Sequence, residues 1–145
     1  MLRVERVQEQ GAAMDTLLEL AELCETQCTA MLACALCRAQ RFPLLCATAV
    51  STRTVQLLRD SWSAWDQHAV AVSIGGGTLD WTDTVPLLLE LMSFHLDNMA
   101  GMQRSLESVV AGLDHADRAS CLEAIRSNLD QLQVLKARLS TACAA

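Results

Sequence analysis

Apolar residues recur with helical period along nearly the whole chain, in four tracts separated by three breaks, and this pattern limits the fold more than any other feature. In the first tract Val4, Val7, Gly11, Met14, Leu18 and Ala21 alternate steps of three and four, and the seam then shifts to Cys24, Cys28, Met31 and Ala35. Arg38, Arg41 and Pro43 close it, because proline cannot continue a helix and disfavours helical geometry just before itself. The second tract carries Ala47, Ser51, Val55, Leu58, Trp62, Trp65, Ala69 and Val72. It stops at Ser73-Ile74-Gly75-Gly76-Gly77-Thr78, the most flexible-looking segment of the sequence.

The third tract follows Asp80, Thr82 and Thr84, which are capping residue types, and has Pro86 near its start. Its stripe runs through Val85, Leu88, Met92, His95, Met99, Met102, Leu106, Val109 and Leu113. Gly112 and Asp114-His115-Ala116-Asp117 form a corner, and Leu122, Ile125, Leu129, Leu132, Leu139 and Cys143 mark the fourth tract. The pattern predicts an all-α fold: one antiparallel up-down four-helix bundle over residues 1–145. Its helices are expected at about 3–40, 44–72, 81–112 and 115–142, with a flexible loop at 73–80. The chain has 52% hydrophobic but only 3% aromatic residues, so Leu, Val, Ala, Met and Cys must fill the core. That choice suits helix packing better than a β-sandwich.

The formal charge of −6 gives no electrostatic case for nucleic acid or for an anionic membrane surface. The longest apolar run, Ala30 to Cys37, is about half the roughly 18–20 residues that cross a bilayer. Met1-Leu2-Arg3-Val4-Glu5-Arg6 has no signal-peptide h-region, so the expected location is intracellular, cytoplasmic or nuclear, and not secreted. The seven cysteines are then expected as reduced thiols.

Those cysteines are the main candidates for chemistry. Cys24 and Cys28 share a helical face, and Cys34-Ala35-Leu36-Cys37 has CxxC spacing, which can hold zinc or run redox chemistry. On one continuous helix the two pairs point apart, and Ala-Leu inside the CxxC extends a helix rather than making a turn. Buried thiols acting as small hydrophobes are the plainer reading. A thiol-based copper or zinc bundle using Cys24, Cys28, Cys34, Cys37 and His95 is the alternative. His95 lies on the helix 3 stripe, with no Glu-x-x-His motif of the kind that builds di-iron bundles. The Gly75-Gly76-Gly77-Thr78 run reads as a linker. No nucleophile elbow, Walker A or His-Glu-x-x-His motif occurs, so the sequence predicts no enzyme and no cofactor.

Large apolar side chains point instead to protein partners. Trp62 and Trp65 lie three apart on the second stripe, where they fill the core near the bundle's end or, as the alternative, form a partly exposed anchor. Trp81 follows the glycine loop, and Phe94 stands among Met92, Met99 and Met102. Trp is enriched at binding hot spots, and Met makes an adaptable apolar surface. Leu79-Asp80-Trp81-Thr82-Asp83-Thr84, Val109-Val110-Ala111-Gly112-Leu113-Asp114-His115, Leu122 and Leu129-Asp130-Gln131 carry a resemblance. Over residues 79–131 the chain resembles the cyclin-dependent kinase 2-interacting protein family of small helical adaptors. The resemblance implies docking to larger proteins in genome maintenance or ribosome assembly. The expectation is a non-enzymatic adaptor or complex subunit that also has apolar surface for self-association.

Overall fold

A computed structural model describes residues 2–65, 73–74, 77–78 and 81–144, and describes side-chain environments over 16–62, 86–87 and 89–142. Helix α1 spans Leu2–Ala33, α2 Arg41–Trp65, α3 Trp81–Ala111 and α4 Arg118–Ala144. Between α2 and α3, β1 (Ser73–Ile74) pairs antiparallel with β2 (Gly77–Thr78), in register Ser73 to Thr78 and Ile74 to Gly77. The segment expected as a plain loop therefore contains a minimal ladder. The predicted end of helix 2 at 66–72, His68, and residues 75–76 and 79–80 lie outside the described residues.

The fold is all-α with four helices packed as a bundle, as the periodicity predicts. Cross-helix contacts fix the directions. Arg41 at the start of α2 pairs with Asp117 before α4, so the α1–α2 and α3–α4 corners lie at the same end. Arg59 Nη1 donates to Gln131 Oε1 at 3.2 Å further down, so α2 and α4 run side by side in the same direction. Asp97 meets Lys136 and Glu107 meets Arg126, which sets α3 antiparallel to α4. The chain goes up, down, up, down. Among the described residues α1 packs on α2 and α3, and α4 packs on α2 and α3, while α2 and α3 meet only lightly across the diagonal. That diagonal step is made by the long α2–α3 connection.

The core is built from the seams. On α2, Ala47, Ser51, Val55, Leu58 and Trp62 are all buried, as the stripe predicts, joined by Leu44, Thr48 and Thr54. The buried hydroxyls do not stay unpaired. Thr48 Oγ1 donates to the Leu44 carbonyl at 2.8 Å, Ser51 Oγ to Thr48 at 3.1 Å and Thr54 Oγ1 to Val50 at 2.9 Å.

Two seams follow the predicted stripes in part. Met92, Met99, Met102 and Leu106 of α3 and Ile125, Leu132 and Leu139 of α4 are buried as predicted. Leu96 and Val110 take the places of His95 and Val109, and Cys121 and Asn128 those of Leu122 and Leu129. On α3 the buried line is Met92, Leu96, Met99, Gln103, Leu106 and Val110, and on α4 it is Cys121, Ile125, Asn128, Leu132, Leu135 and Leu139. Each line contains one fully buried amide, and the amides are bonded to each other. Asn128 Nδ2 donates to Gln103 Oε1 at 3.2 Å and to Thr52 Oγ1 at 3.0 Å, tying α4 to α3 and α2.

Two helix boundaries are also corrected. Helix α1 ends at Ala33, not near residue 40. The Cys34 N–H bonds the Met31 carbonyl at 3.1 Å, tightening the last turn, and a 3₁₀ turn over Cys37–Ala39 leads to extended Gln40 (φ −103°, ψ 139°). The Cys37 N–H is taken by the Cys34 thiol at 3.4 Å, so a side chain competes with the helix ladder there. Pro43 follows as the third residue of α2, where the missing N–H breaks no helical bond. Helix α4 starts at Arg118 rather than 115, because His115 Nδ1 accepts the Asp117 N–H at 3.2 Å and holds a turn. Pro86 lies inside α3, a turn beyond the start that the sequence suggests for it.

Candidate functional site

The most apolar cavity of the described surface is a groove of about 360 Å³ on the outer side of the α1–α2 pair. A wider depression of about 610 Å³ on α4 has Glu123, Arg126, Ser127 and Asp130 in its lining and is more polar. Leu20, Leu23, Cys24, Gln27, Cys28 and Met31 line the groove from α1, and Pro43, Cys46, Ala47 and Val50 from α2. Gln27 is the one lining residue outside the apolar and thiol types. The helical repeat explains the arrangement: Leu20, Leu23 and Gln27 flank the α1 seam of Cys24, Cys28 and Met31 on one side, while Pro43, Cys46 and Val50 flank the α2 seam on the facing side. Leu23 is 56% and Val50 50% exposed, so the rim is apolar as well as the floor. Phe42, one turn before Cys46, is exposed and extends the α2 stripe toward the corner.

Cys24 and Cys28 form the groove's inner wall and are almost fully buried. The Cys28 thiol donates a hydrogen bond to Cys24 and holds the Cys24 pKa below its ordinary value, at about 7, against the opposing effect of burial. The Thr54 hydroxyl lowers it further. Donation to Cys24 also pushes the Cys28 thiol strongly upward, and burial adds to that. The two thiols thus release one proton easily and hold the other.

Cys34 and Cys37 are not on a helix face as the sequence suggested. They sit in the corner, partly exposed, with the Cys37 N–H on the Cys34 sulfur. That hydrogen bond is the main reason the Cys34 pKa is lowered; the Cys37 thiol, the Leu36 N–H and the Arg38 charge act in the same direction. The Cys37 pKa is raised because its thiol donates to Cys34.

The other predicted site residues fall in different places. Trp62 is 4% exposed and belongs to the core, as its place on the α2 stripe predicts; the alternative of a partly exposed docking anchor at Trp62 is set aside. The side chains of Trp65 and Trp81 lie outside the described residues. Phe94 is 60% exposed on α3, where it continues an outward strip with Leu87 and Leu91. His95 is half-buried and makes an edge contact with the Phe94 ring, centroids 5.7 Å apart. The structure brings Cys24 to Cys28 and Cys34 to Cys37, but does not bring His95 to either pair. Among the described residues, no three His, Cys, Asp or Glu side chains are placed to hold a metal ion.

Of the groove residues, the sequence singles out Cys24 and Cys28 but not the apolar rim around them. The available signal was apolar surplus: Leu20 and Leu23 on α1, and Cys46 and Val50 one turn apart on α2, all outside the seams. Among the described residues no helix is long and apolar enough to cross a membrane. No family model, curated protein or solved structure matches the chain.

Proposed function

We propose that the protein is a non-enzymatic docking module, an adaptor or complex subunit, whose α1–α2 groove receives an amphipathic helix from a protein partner. The observation that carries this reading is an apolar groove of about 360 Å³ whose rim, Leu23 and Val50, is half exposed. A helix laid between two helices buries its apolar face by the ridge-and-groove packing that builds the bundle itself. The resemblance of residues 79–131 to small helical adaptors supports the same kind of role.

The test uses the tagged protein and its Leu23→Glu and Val50→Glu variants, each used to recover partners from the native host. Both substitutions lie on the rim, so folding is checked by circular dichroism and melting temperature. A stoichiometric partner held by the parent and lost from both folded variants supports the proposal. A partner held equally by all three, or none held by the parent, overturns it.

A copper or zinc protein is the second reading; Cys24, Cys28 and Cys46 all line this groove, and a soft metal would have to draw them together, since they are not placed to hold an ion as they stand. Metal analysis of protein purified under reducing conditions, compared with Cys24→Ser and Cys46→Ser variants, tests it. Stoichiometric metal lost on substitution would replace the docking reading.

A further inference from the structure

We propose that Cys34 and Cys37 are a reversible dithiol–disulfide site, in which Cys34 attacks a small-molecule disulfide and Cys37 closes the internal bond. The proposal concerns the α1–α2 corner and does not depend on what occupies the groove.

The geometry comes from the corner. The Arg38 N–H bonds the Cys34 carbonyl at 3.1 Å, closing one helical turn that carries both cysteines. Residues three apart on such a turn have Cβ atoms about 5–6 Å apart. A disulfide needs about 3.5–4.5 Å, so a small closing movement suffices. Neither cysteine belongs to a long helix, since α1 ends at Ala33 and α2 starts at Arg41, so that movement breaks no core packing. Both thiols are partly exposed and open to a reagent, unlike Cys24 and Cys28 behind the groove wall.

The same contacts divide the roles. The Cys34 sulfur receives the Cys37 N–H at 3.4 Å and lies near the Arg38 charge, so its thiolate is favoured; Cys37 keeps its proton until the first step is over. In that step the Cys34 thiolate attacks one sulfur of a disulfide RSSR. A Cys34–SR bond forms, the S–S bond breaks and RS⁻ leaves. The Cys37 proton passes to solvent base, its thiolate attacks the Cys34 sulfur, and the second RS⁻ leaves. Two protein thiols and one RSSR give one protein disulfide and two RSH, and excess thiol reverses both steps.

The experiment incubates the folded, reduced full-length protein with glutathione disulfide and follows its mass, with tandem mass spectrometry to place any bond. The expected result is loss of two hydrogens mapped to Cys34–Cys37, fully reversed by excess glutathione. Cys37→Ser should instead accumulate a glutathione adduct on Cys34, and Cys34→Ser should show no closure. Exposed Cys46 is the internal control for reagent access. Closure of a different pair overturns the proposal. So does stable glutathione on Cys34 of the parent protein, or unmodified Cys34 and Cys37 while Cys46 is modified.

Discussion

The α4 side of the bundle and the α1–α2 side are made of similar apolar residues, yet they are finished differently. On the α4 side the seam is interrupted by Gln103 and Asn128, which bond each other and reach Thr52 of α2. Outside them lie Arg126 on Glu107, Lys136 on Asp97 and Arg59 on Gln131. On the α1–α2 side the inner contact is a thiol pair with Thr54, and the outer flank is left as an apolar groove. A buried amide pair satisfies itself only in one register, so the first surface specifies where the helices meet. The second has surplus apolar area and a single directional side chain, Gln27, on its rim. One face is closed on itself; the other is open to a visitor.

The strongest test of this contrast is truncation in the closed face. Leu106 is fully buried on the α3 seam, and Leu106→Ala should cost about 2–5 kcal/mol by lost burial and a residual cavity. Urea denaturation measures it. A loss below 1 kcal/mol would mean that the α3–α4 interface is not the stable part of the molecule.

Next in size is the amide pair. Asn128→Ala leaves the Gln103 carbonyl oxygen without its donor in a dry core, at a cost of about 1–3 kcal/mol. Replacing both partners, as Gln103→Leu with Asn128→Leu, should recover much of that loss, since a polar pair exchanged whole for apolar residues is often close to neutral. Recovery of stability together with a changed oligomeric state, read by sedimentation, would identify the pair as a register device. Recovery with the state unchanged would leave it a stability element only.

The amide pair also explains what could be read in the sequence. The α2 stripe and the Leu18, Ala21, Cys24 and Cys28 seam of α1 were legible, because apolar or small residues occupy every seam position. On α3 and α4 the stripe is legible at Met92, Met99, Met102, Leu106, Ile125, Leu132 and Leu139 and slips by one residue only at His95, Val109, Leu122 and Leu129. The true seams pass through Gln103 and Asn128, which a hydrophobic period counts as breaks. Their pairing is a tertiary fact that neither helix announces alone. The corner was misread for a related reason. Ala35 and Leu36 favour a helix, and only the thiol of Cys34 taking the Cys37 N–H shows why the ladder stops. The groove was half legible: its residues stand out as surplus, but which two helices face each other across it is decided by packing.

The thiol pair gives a smaller, pH-dependent effect on the open side. Folding lowers the Cys24 pKa from 9.0 to about 7 and raises that of Cys28. From pH 7 to 9 the unfolded chain therefore holds more protons than the folded one, and stability should rise across that window. Above pH 9 the unfolded thiols are both ionised while the folded pair keeps one proton, so stability should fall. Cys28→Ala removes the donor and should flatten the rise between pH 7 and 9. Urea midpoints at several pH values, parent against variant, check this. An identical slope in the variant would mean that the two thiols do not share a proton.

The smallest stability effect is expected where the binding effect is largest. Leu23 and Val50 are at least half exposed, so Leu23→Ala and Val50→Ala give up little burial and should change stability by about 0.5 kcal/mol or less. In the free protein the groove is already wet on that side, and truncation removes area that only a partner would dry. With a helix seated, the same side chains would lose their water and their truncation would weaken binding well beyond its effect on folding. Parallel melts and partner titrations separate the two quantities. If Leu23→Ala destabilised the free protein as much as Leu106→Ala, the rim would be part of the closed core, and the division of the bundle into a locked face and an open one would fail.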